Sequence, residues 1–312
     1  MKNKLISIIV TCYNEEGNIL EMYKRVLKIF EKKSDFRFEL IYVDNDSIDK
    51  TNRIITDLCK KDKRVKAIYM SRNFGSPQPS FLAGLEKCKG DAAVLLHGDI
   101  QDPPELIMKF ADLWQKGNDV VYGVRTKRKG YGFLWNFYYH AFYWVLKKMS
   151  YINIPLDAGD FSLIDRKVIN ELLKLNEYDY YVRCLRAYVG FKQIGVNYVR
   201  DPRNKGVSHE TIWSSLWWAR TIIVNFSFKP LEYISITGFV VTFFSFLFII
   251  LNLILYLFDQ SAPRGVPTIV ILILFLGGVQ LLSISIIAEY LSKIFLEVKR
   301  RPRYIIKKTL NF

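Results

Sequence analysis

The segment His97-Gly98-Asp99-Ile100-Gln101-Asp102-Pro103-Pro104-Glu105 holds the densest set of groups in the chain that can do chemistry. It directly follows an apolar run, residues 92–96, that reads as a strand. The Asp99 carboxylate and the Gln101 amide oxygen are hard oxygen ligands, suited to Mg²⁺ or Mn²⁺ shared with a substrate diphosphate. A helix opening near Pro103 and Pro104 would also aim backbone N–H groups at anions. A D-x-Q-D string is weak by itself, because acidic turns after strands are common.

Other groups have the right chemistry to serve the same centre. Asp44, in Asp44-Asn45-Asp46-Ser47-Ile48-Asp49, sits at a strand tip; Ser47 or Asp49 can cap the next helix, which leaves Asp44 free for a nucleobase or ribose. Arg125 and Arg128 follow a strand, and Arg200 and Arg203 lie in a loop with Gly206 and Ser208 close behind. Paired arginines on such loops match phosphate oxygens through their planar fork, although isolated surface arginines are usually just solvated. Asp157 and Asp160, in the loop-like stretch PLDAGDF, are either a helix cap and its neighbour or carboxylates that orient an acceptor. The three histidines, His97, His140 and His209, have no zinc-ligand spacing, and there is no G-x-S-x-G elbow, G-x-G-x-x-G or Walker loop.

These groups need a scaffold, and the first 125 residues supply one. Apolar runs at 5–10, 38–43, 65–70, 92–96 and 120–122 read as strands. Helical spacing occupies 18–31, 50–61, 78–88 and 104–116. Alternation of this kind predicts an α/β fold with a mostly parallel sheet and flanking helices. Ligands of such sheets bind beyond the carboxyl ends of the strands. The residues there are Asn14 and Glu15, Asp44 and Asp46, Arg72 and Asn73, and Asp99 and Gln101. A polar or acidic group ends nearly every strand.

The texture changes after residue 125. Residues 131–151 and 211–228 are aromatic-rich and read as buried or membrane-surface helices. Two apolar stretches, 234–258 and 268–288, each exceed the roughly 20 residues needed to cross a bilayer. Only Arg264 is basic between them, whereas Lys293, Lys299, Arg300, Arg301, Arg303, Lys307 and Lys308 follow the second, which places both termini in the cytoplasm. The expected organisation is a catalytic domain over 1–210, an interfacial segment over 211–230, a two-helix membrane anchor over 231–290 and a basic tail over 291–312. The formal net charge of +15 suits anionic lipid or phosphorylated substrates better than nucleic acid, for which no recognition motif is present. Four scattered cysteines without a CxxC pair read as reduced, buried thiols.

Taken together, TCYNEE at 11–16, SRNFG at 71–75, GDIQDPPELI at 98–107, DAGDFSLIDRKV at 157–168, GFKQIGVNYVR at 190–200, PLE at 230–232 and EYLSKIFLEVKRRPRY at 289–304 resemble the polyprenyl-phosphate glycosyltransferases. These are inverting family-2 enzymes that include dolichol-phosphate mannose synthases and undecaprenyl-phosphate sugar transferases. The resemblance covers nearly the whole chain. It implies a GT-A fold and transfer of a sugar from a UDP- or GDP-sugar to undecaprenyl or dolichyl phosphate at the cytoplasmic membrane face. The absence of a eukaryotic targeting signal leans toward a bacterial inner membrane. By position, Tyr13, Asn14, Glu15, Asp44, Asn73 and His97 would surround the donor, and Asp99 with Gln101 would hold the metal. Arg125, Arg128, Arg200, Arg203 and Ser208 would hold phosphate, with Asp157 or Asp160 beside the acceptor. A phosphate monoester, with a second pKa of about 6, scarcely needs a general base, so that aspartate orients rather than deprotonates.

Three departures from the family pattern stand out: His97 replaces the first aspartate of a D-x-D pair, Asn45-Asp46 stands where Asp-Gly is usual, and NKGVSHE lacks an aromatic residue. They admit altered donor choice, or a catalytically weakened homologue acting as a nucleotide-sugar-binding or scaffold subunit. A processive synthase is disfavoured by two spans and no Q-x-x-R-W. Paired membrane hairpins commonly associate, which leaves room for a homo-oligomer.

Overall fold

The computed structural model describes residues 4–32, 35–125, 155, 158–200, 221, 223–258 and 265–312. The chain divides into two units, one of Met1–Tyr143, Ile152–Glu210 and Arg301–Phe312, the other of Trp144–Tyr151 and Thr211–Arg300.

The first unit is built on an eight-stranded sheet. Its strands in chain order are β1 (Lys4–Cys12), β2 (Phe36–Asp44), β3 (Val65–Met70), β4 (Ala92–His97), β5 (Val120–Arg125), β6 (Ala158–Asp165), β7 (Gln193–Tyr198) and β8 (Ile306–Leu310). The spatial order is β7-β5-β6-β4-β1-β2-β3-β8. The centre, β4-β1-β2-β3, is parallel, while β6 and β8 pair antiparallel with their neighbours. Central parallel strands bury both faces, which is why β1 reads as the nearly unbroken apolar run Leu5-Ile6-Ser7-Ile8-Ile9-Val10, buried from Ile6 onward. The polar residue that intrudes there, Ser7, is matched by Glu39 of β2, to which it donates a hydrogen bond, and Lys66 of β3 pairs with Glu39 at 2.6 Å.

Helices cover the sheet with one apolar face each. Helix α1 (Ile19–Lys32) buries Ile19, Met22, Val26, Ile29 and Phe30 at helical spacing. Helix α2 (Thr51–Lys61) buries Ile55, Leu58 and Cys59, and α4 (Leu106–Gln115) buries Ile107, Phe110, Ala111 and Trp114. Between them α3 (Gln78–Lys87) packs so closely on β1 that a Cβ at Gly84 would come within 2.4 Å of Ile9. After β6 come α5 (Arg166–Lys174), capped by the Asp165 side chain on the Lys167 N–H, and the short α6 (Val182–Tyr188). All four cysteines are buried and unpaired.

Chain order sets the working edge. From β1 the chain steps outward through β2 and β3, then returns to place β4 on the other side of β1. That reversal between β1 and β4 opens the crevice in which α/β sheets bind ligands.

The second unit contains α7 (Lys229–Phe258) and α8 (Val266–Lys299), both long and apolar enough to cross a membrane. At 1.5 Å per residue, either exceeds a hydrocarbon core of about 30 Å. Their large apolar side chains, such as Phe239 and Leu281, lie exposed, and the Tyr290 hydroxyl donates to the Ser227 carbonyl at 2.7 Å.

Two regular elements occupy the stretch expected as a basic tail. Residues 291–299 continue α8, with Leu291, Ile294, Phe295 and Val298 forming an exposed apolar stripe, and residues 306–310 are β8. Strand β8 pairs with β3, and Asn311 Nδ2 donates to the carbonyls of Cys59 and Val65 at 2.7 and 2.8 Å. Lys307 and Lys308 stand on this edge strand, where exposed charge is the usual guard against further pairing.

Candidate functional site

The crevice between β1 and β4 carries the candidate site. Thr11 lies opposite His97 in the β1–β4 register, and the Gly98 N–H donates to the Thr11 carbonyl at 2.8 Å. The fit at Gly98 is tight, since a Cβ there would lie 3.1 Å from the Thr11 oxygen and 3.2 Å from the Cys12 Cβ, and the neighbours would have to give by a few tenths of an ångström. Beyond it Ile100 adopts φ 57°, a left-handed conformation that is costly for a β-branched residue. Asn14 and Asp46 share that region at φ 55° and 63°. Three strained non-glycine residues thus sit just past β1, β2 and β4, where the turns must present side chains to the crevice.

The Ile100 turn sets Asp99 and Gln101 side by side, with the Gln101 N–H donating to Asp99 Oδ1 at 3.3 Å. Asp99 Oδ2 lies 3.7 Å from the Arg200 guanidinium. Among the described residues no three His, Cys, Asp or Glu side chains converge as a metal cage. One carboxylate and one amide oxygen fit a hard divalent cation that completes its shell with substrate phosphate and water, as Mg²⁺ habitually does.

Asp102 is the hub of the charge network. It is 1% exposed, accepts the Tyr198 hydroxyl and lies 3.9 Å from Arg125 Nη2 and 3.4 Å from Arg200 Nε. Arg125 in turn donates to the Tyr198 oxygen at 3.3 Å. Burial alone would lower the Arg125 pKa, but Asp102 and Tyr198 raise it above its ordinary value. Two of the predicted phosphate-binding arginines are therefore held by a carboxylate that sequence reasoning left without a role.

His97 and Asp160 form a second pair, Nε2 to Oδ2 at 3.6 Å. Asp160 lies inside β6 rather than on the expected loop, because β6 pairs antiparallel with both β4 and β5 and so returns to the crevice. The His97 ring also has Thr11 Oγ1 3.5 Å from Nδ1 and packs edge-on against Phe81. Burial opposes a charged imidazole, yet Asp160, with Asp99 and Asp102, raises the His97 pKa above its ordinary value. Burial likewise opposes the Asp160 carboxylate, but His97, Arg183 and Arg186 hold it down at about 2.

On the β2 side, Asp44 is 1% exposed; its Oδ1 accepts from the Ser47 N–H and hydroxyl, while Oδ2 is buried without a hydrogen-bond partner among the described residues. Burial pushes its pKa up. Asp44, Asp46, Asn52, Thr56, Tyr69, Met70, Lys307 and Lys308 line a cavity of about 270 Å³. Asn45 is a brace: Nδ2 donates to Asn73 Oδ1 at 3.0 Å and Oδ1 accepts the Phe74 N–H at 3.1 Å, tying the loops after β2 and β3 together. Asn14 does the same between the loops after β1 and β2, exchanging hydrogen bonds with Ser47 Oγ and the Ile48 N–H. Glu15 is buried, with Asn18 Nδ2 donating to it, and Tyr13 is 41% exposed.

The fold thus gathers Tyr13, Asn14, Glu15, Asp44, Asn73, His97, Asp99, Gln101, Arg125, Asp160 and Arg200 at the carboxyl ends of the sheet or on the loops beyond them. Arg128, Asp157, Arg203 and Ser208, the stretch 131–151 and most of 211–228 lie outside the described residues. Sequence reasoning missed Asp102, Tyr198, Gln78 and Arg186. For Asp102 a signal existed, as the last residue of the D-x-Q-D string; the others become neighbours only through the order of the strands.

Residues 7–173 match the family model described as Glycosyl transferase family 2. The uncharacterized glycosyltransferase YkcC of Bacillus subtilis (strain 168) is 40% identical over 97% of this chain and 93% of its own length. The SfII prophage-derived bactoprenol glucosyl transferase of Shigella flexneri is 36% identical over 97% of this chain and 98% of its own. Among solved structures, a mannosyltransferase from Pyrobaculum calidifontis in complex with GDP-Man and Mn²⁺ is 16% identical, with a TM-score of 0.47 over 70% of this chain and 61% of that one.

Proposed function

This chain belongs to glycosyl transferase family 2, and on that premise we propose that it transfers a sugar from a nucleotide-sugar donor to a polyprenyl phosphate of the bactoprenol type. The observation that carries this reading is the cluster at the β1–β4 reversal, where Asp99, Gln101, Asp102, Arg125 and Arg200 meet within one charge network.

The donor enters this proposal through its nucleotide. Asp44, with its unpartnered buried oxygen, accepts from the base or ribose, and the Asn14 and Asn45 braces hold the surrounding loops in shape. The diphosphate lies by Asp99 and Gln101, where a Mg²⁺ or Mn²⁺ ion would stabilise the charge on the departing nucleotide as a Lewis acid. Arg200, already within reach of Asp99, adds positive charge where that charge develops. Asp102 sits within ion-pair distance of both Arg125 and Arg200, and their guanidinium N–H groups are proposed to meet phosphate oxygens. Arg128, Arg203 and Ser208 are proposed as further phosphate ligands, with Asp157 near the acceptor.

The acceptor oxygen attacks the anomeric carbon from the face opposite the leaving diphosphate, which inverts the configuration. The attacking phosphate monoester is largely ionised near neutral pH, with a second pKa of about 6, so no side chain must remove a proton. Asp160, held as a carboxylate, and His97 beside it orient the acceptor and the transferred sugar. Helices α7 and α8 anchor the chain in the membrane where the lipid phosphate resides. The basic excess after α8 favours a cytoplasmic catalytic face.

The test uses the purified full chain in detergent or liposomes with undecaprenyl phosphate, Mn²⁺ and a panel of UDP- and GDP-sugars. Formation of one lipid-linked sugar, with release of the matching nucleoside diphosphate, is the expected result. No product from any donor, together with no nucleotide binding, overturns the reading.

A further inference from the structure

Asp160 is an ionised carboxylate inside a strand, and what holds it there lies outside the motifs. Gln78, at the start of α3 and 8% exposed, donates through Nε2 to Asp160 Oδ2 at 3.0 Å. Its own carbonyl is locked in turn, since Oε1 accepts the N–H of Val182, the first residue of α6, at 3.0 Å. An amide whose oxygen is fixed by a backbone donor can present only its NH₂ group to the carboxylate. On the preceding residue, the Gly159 carbonyl accepts from Arg186 Nη2 at 3.0 Å.

Arg186 is wholly buried, stacks 4.9 Å from the centre of the Tyr122 ring and leaves Nε and Nη1 without hydrogen-bond partners among the described residues. Burial outweighs the pull of Asp160 and brings its pKa down to about 10, so it is still a cation near neutral pH. A buried, incompletely bonded guanidinium is expensive if it serves packing alone, since an apolar side chain of similar volume fills such a place at less cost. Its siting is explained if its charge and direction serve the neighbouring carboxylate.

We propose that Gln78 and Arg186 are the positioning residues of Asp160, fixing the direction of its carboxylate toward His97 and hence the alignment of the acceptor with the donor sugar. Three elements, α3, α6 and β6, are thereby coupled to one catalytic geometry. This inference rests on the transfer reaction proposed above.

Gln78→Glu is the sharpest test. Glutamate keeps the size and the acceptor for the Val182 N–H. It also replaces an N–H donor by a second carboxylate against Asp160. The expected result is a kcat for lipid-linked sugar formation lower by about 10- to 100-fold, the scale of a displaced reacting group. Nucleotide affinity and KM for the donor stay close to wild type, while the melting temperature falls because two buried carboxylates now face each other. Arg186→Lys keeps the charge but not the directed fork, and is expected to lower kcat in the same way. Gln78→Met, which removes the amide without adding charge, is the second variant at position 78 and must also lose kcat while still binding nucleotide. Wild-type kcat in Gln78→Glu, or loss only in proportion to lost nucleotide binding across the three variants, overturns the proposal. A wild-type protein that makes no lipid-linked sugar fails the functional reading instead, and the two failures are distinguished by that control.

Discussion

Asp102→Asn probes the charge network directly, and its effect can be worked from the geometry. Asp102 is 1% exposed and is shared by Tyr198, Arg125 and Arg200. Removing one member of a well-formed buried ion pair costs about 3–5 kcal/mol, because the partner charge stays buried and uncompensated. Three features reduce that figure here. The guanidinium contacts, at 3.9 and 3.4 Å, are longer than close ionic hydrogen bonds. The arginine side chains keep 19% and 27% of their exposure, so water relieves part of the penalty. Asparagine also retains an oxygen for the Tyr198 hydroxyl. What remains is on the scale of a hydrogen bond to a charged group, about 1.5–3 kcal/mol. For a unit of this size each kcal/mol moves Tm by about 2–4 °C, so the variant should melt about 3–12 °C lower. Tryptophan fluorescence of the full chain in detergent, with and without nucleotide, measures the shift. A double-mutant cycle with Arg125→Met should return a coupling of about 1 kcal/mol or more. An Asp102→Asn protein that melts with wild type and transfers sugar at the wild-type rate would refute the hub assignment.

Asp99→Ala should reduce sugar transfer by about 100-fold or more through lost stabilisation of the departing diphosphate, with a melting temperature near wild type; product assays and a thermal melt check both. The His97–Asp160 pair makes stability depend on pH in a definite direction. The raised His97 pKa contributes stability that is complete below its unfolded value of about 6.5 and is lost as pH rises through the folded value. The depressed Asp160 pKa contributes stability present above an unfolded value of about 3.9 and lost as pH falls toward its folded value of about 2. Melting temperature, measured in chelator, should therefore fall as pH is raised from about 6 to 9, and His97→Gln should flatten that slope; parallel slopes would contradict the pairing. Asn311→Ala strips two backbone carbonyls of their donor and should cost about 1–3 kcal/mol, read as an earlier denaturant midpoint with unchanged nucleotide affinity.

Much of this architecture was legible before any coordinates. The run from Ile6 to Val10 is apolar on both faces because β1 is central and parallel, and the spacing of Ile19, Met22, Val26 and Ile29 is that of a helix lying on it. Both patterns are local consequences of a period, and local periods survive in a sequence. The polar residues at the strand tips were legible for the same reason, since the carboxyl ends of strands are found by counting. The two membrane-length helices needed only length and apolarity.

The partners of those residues belong to a different kind of information. Tyr198 reaches Asp102 across 96 residues of sequence and Gln78 reaches Asp160 across 82, because antiparallel β6 is inserted between β4 and β5, and β7 pairs with β5 on the far side. Strand β8 escaped notice because an edge strand bearing Lys307 and Lys308 has no apolar alternation to betray it. The sequence determined which chemical groups stand at the ends of which strands. Tertiary structure decided which charges neutralise one another, since a Coulomb interaction depends on distance and burial, and both are set by strand order rather than by position along the chain.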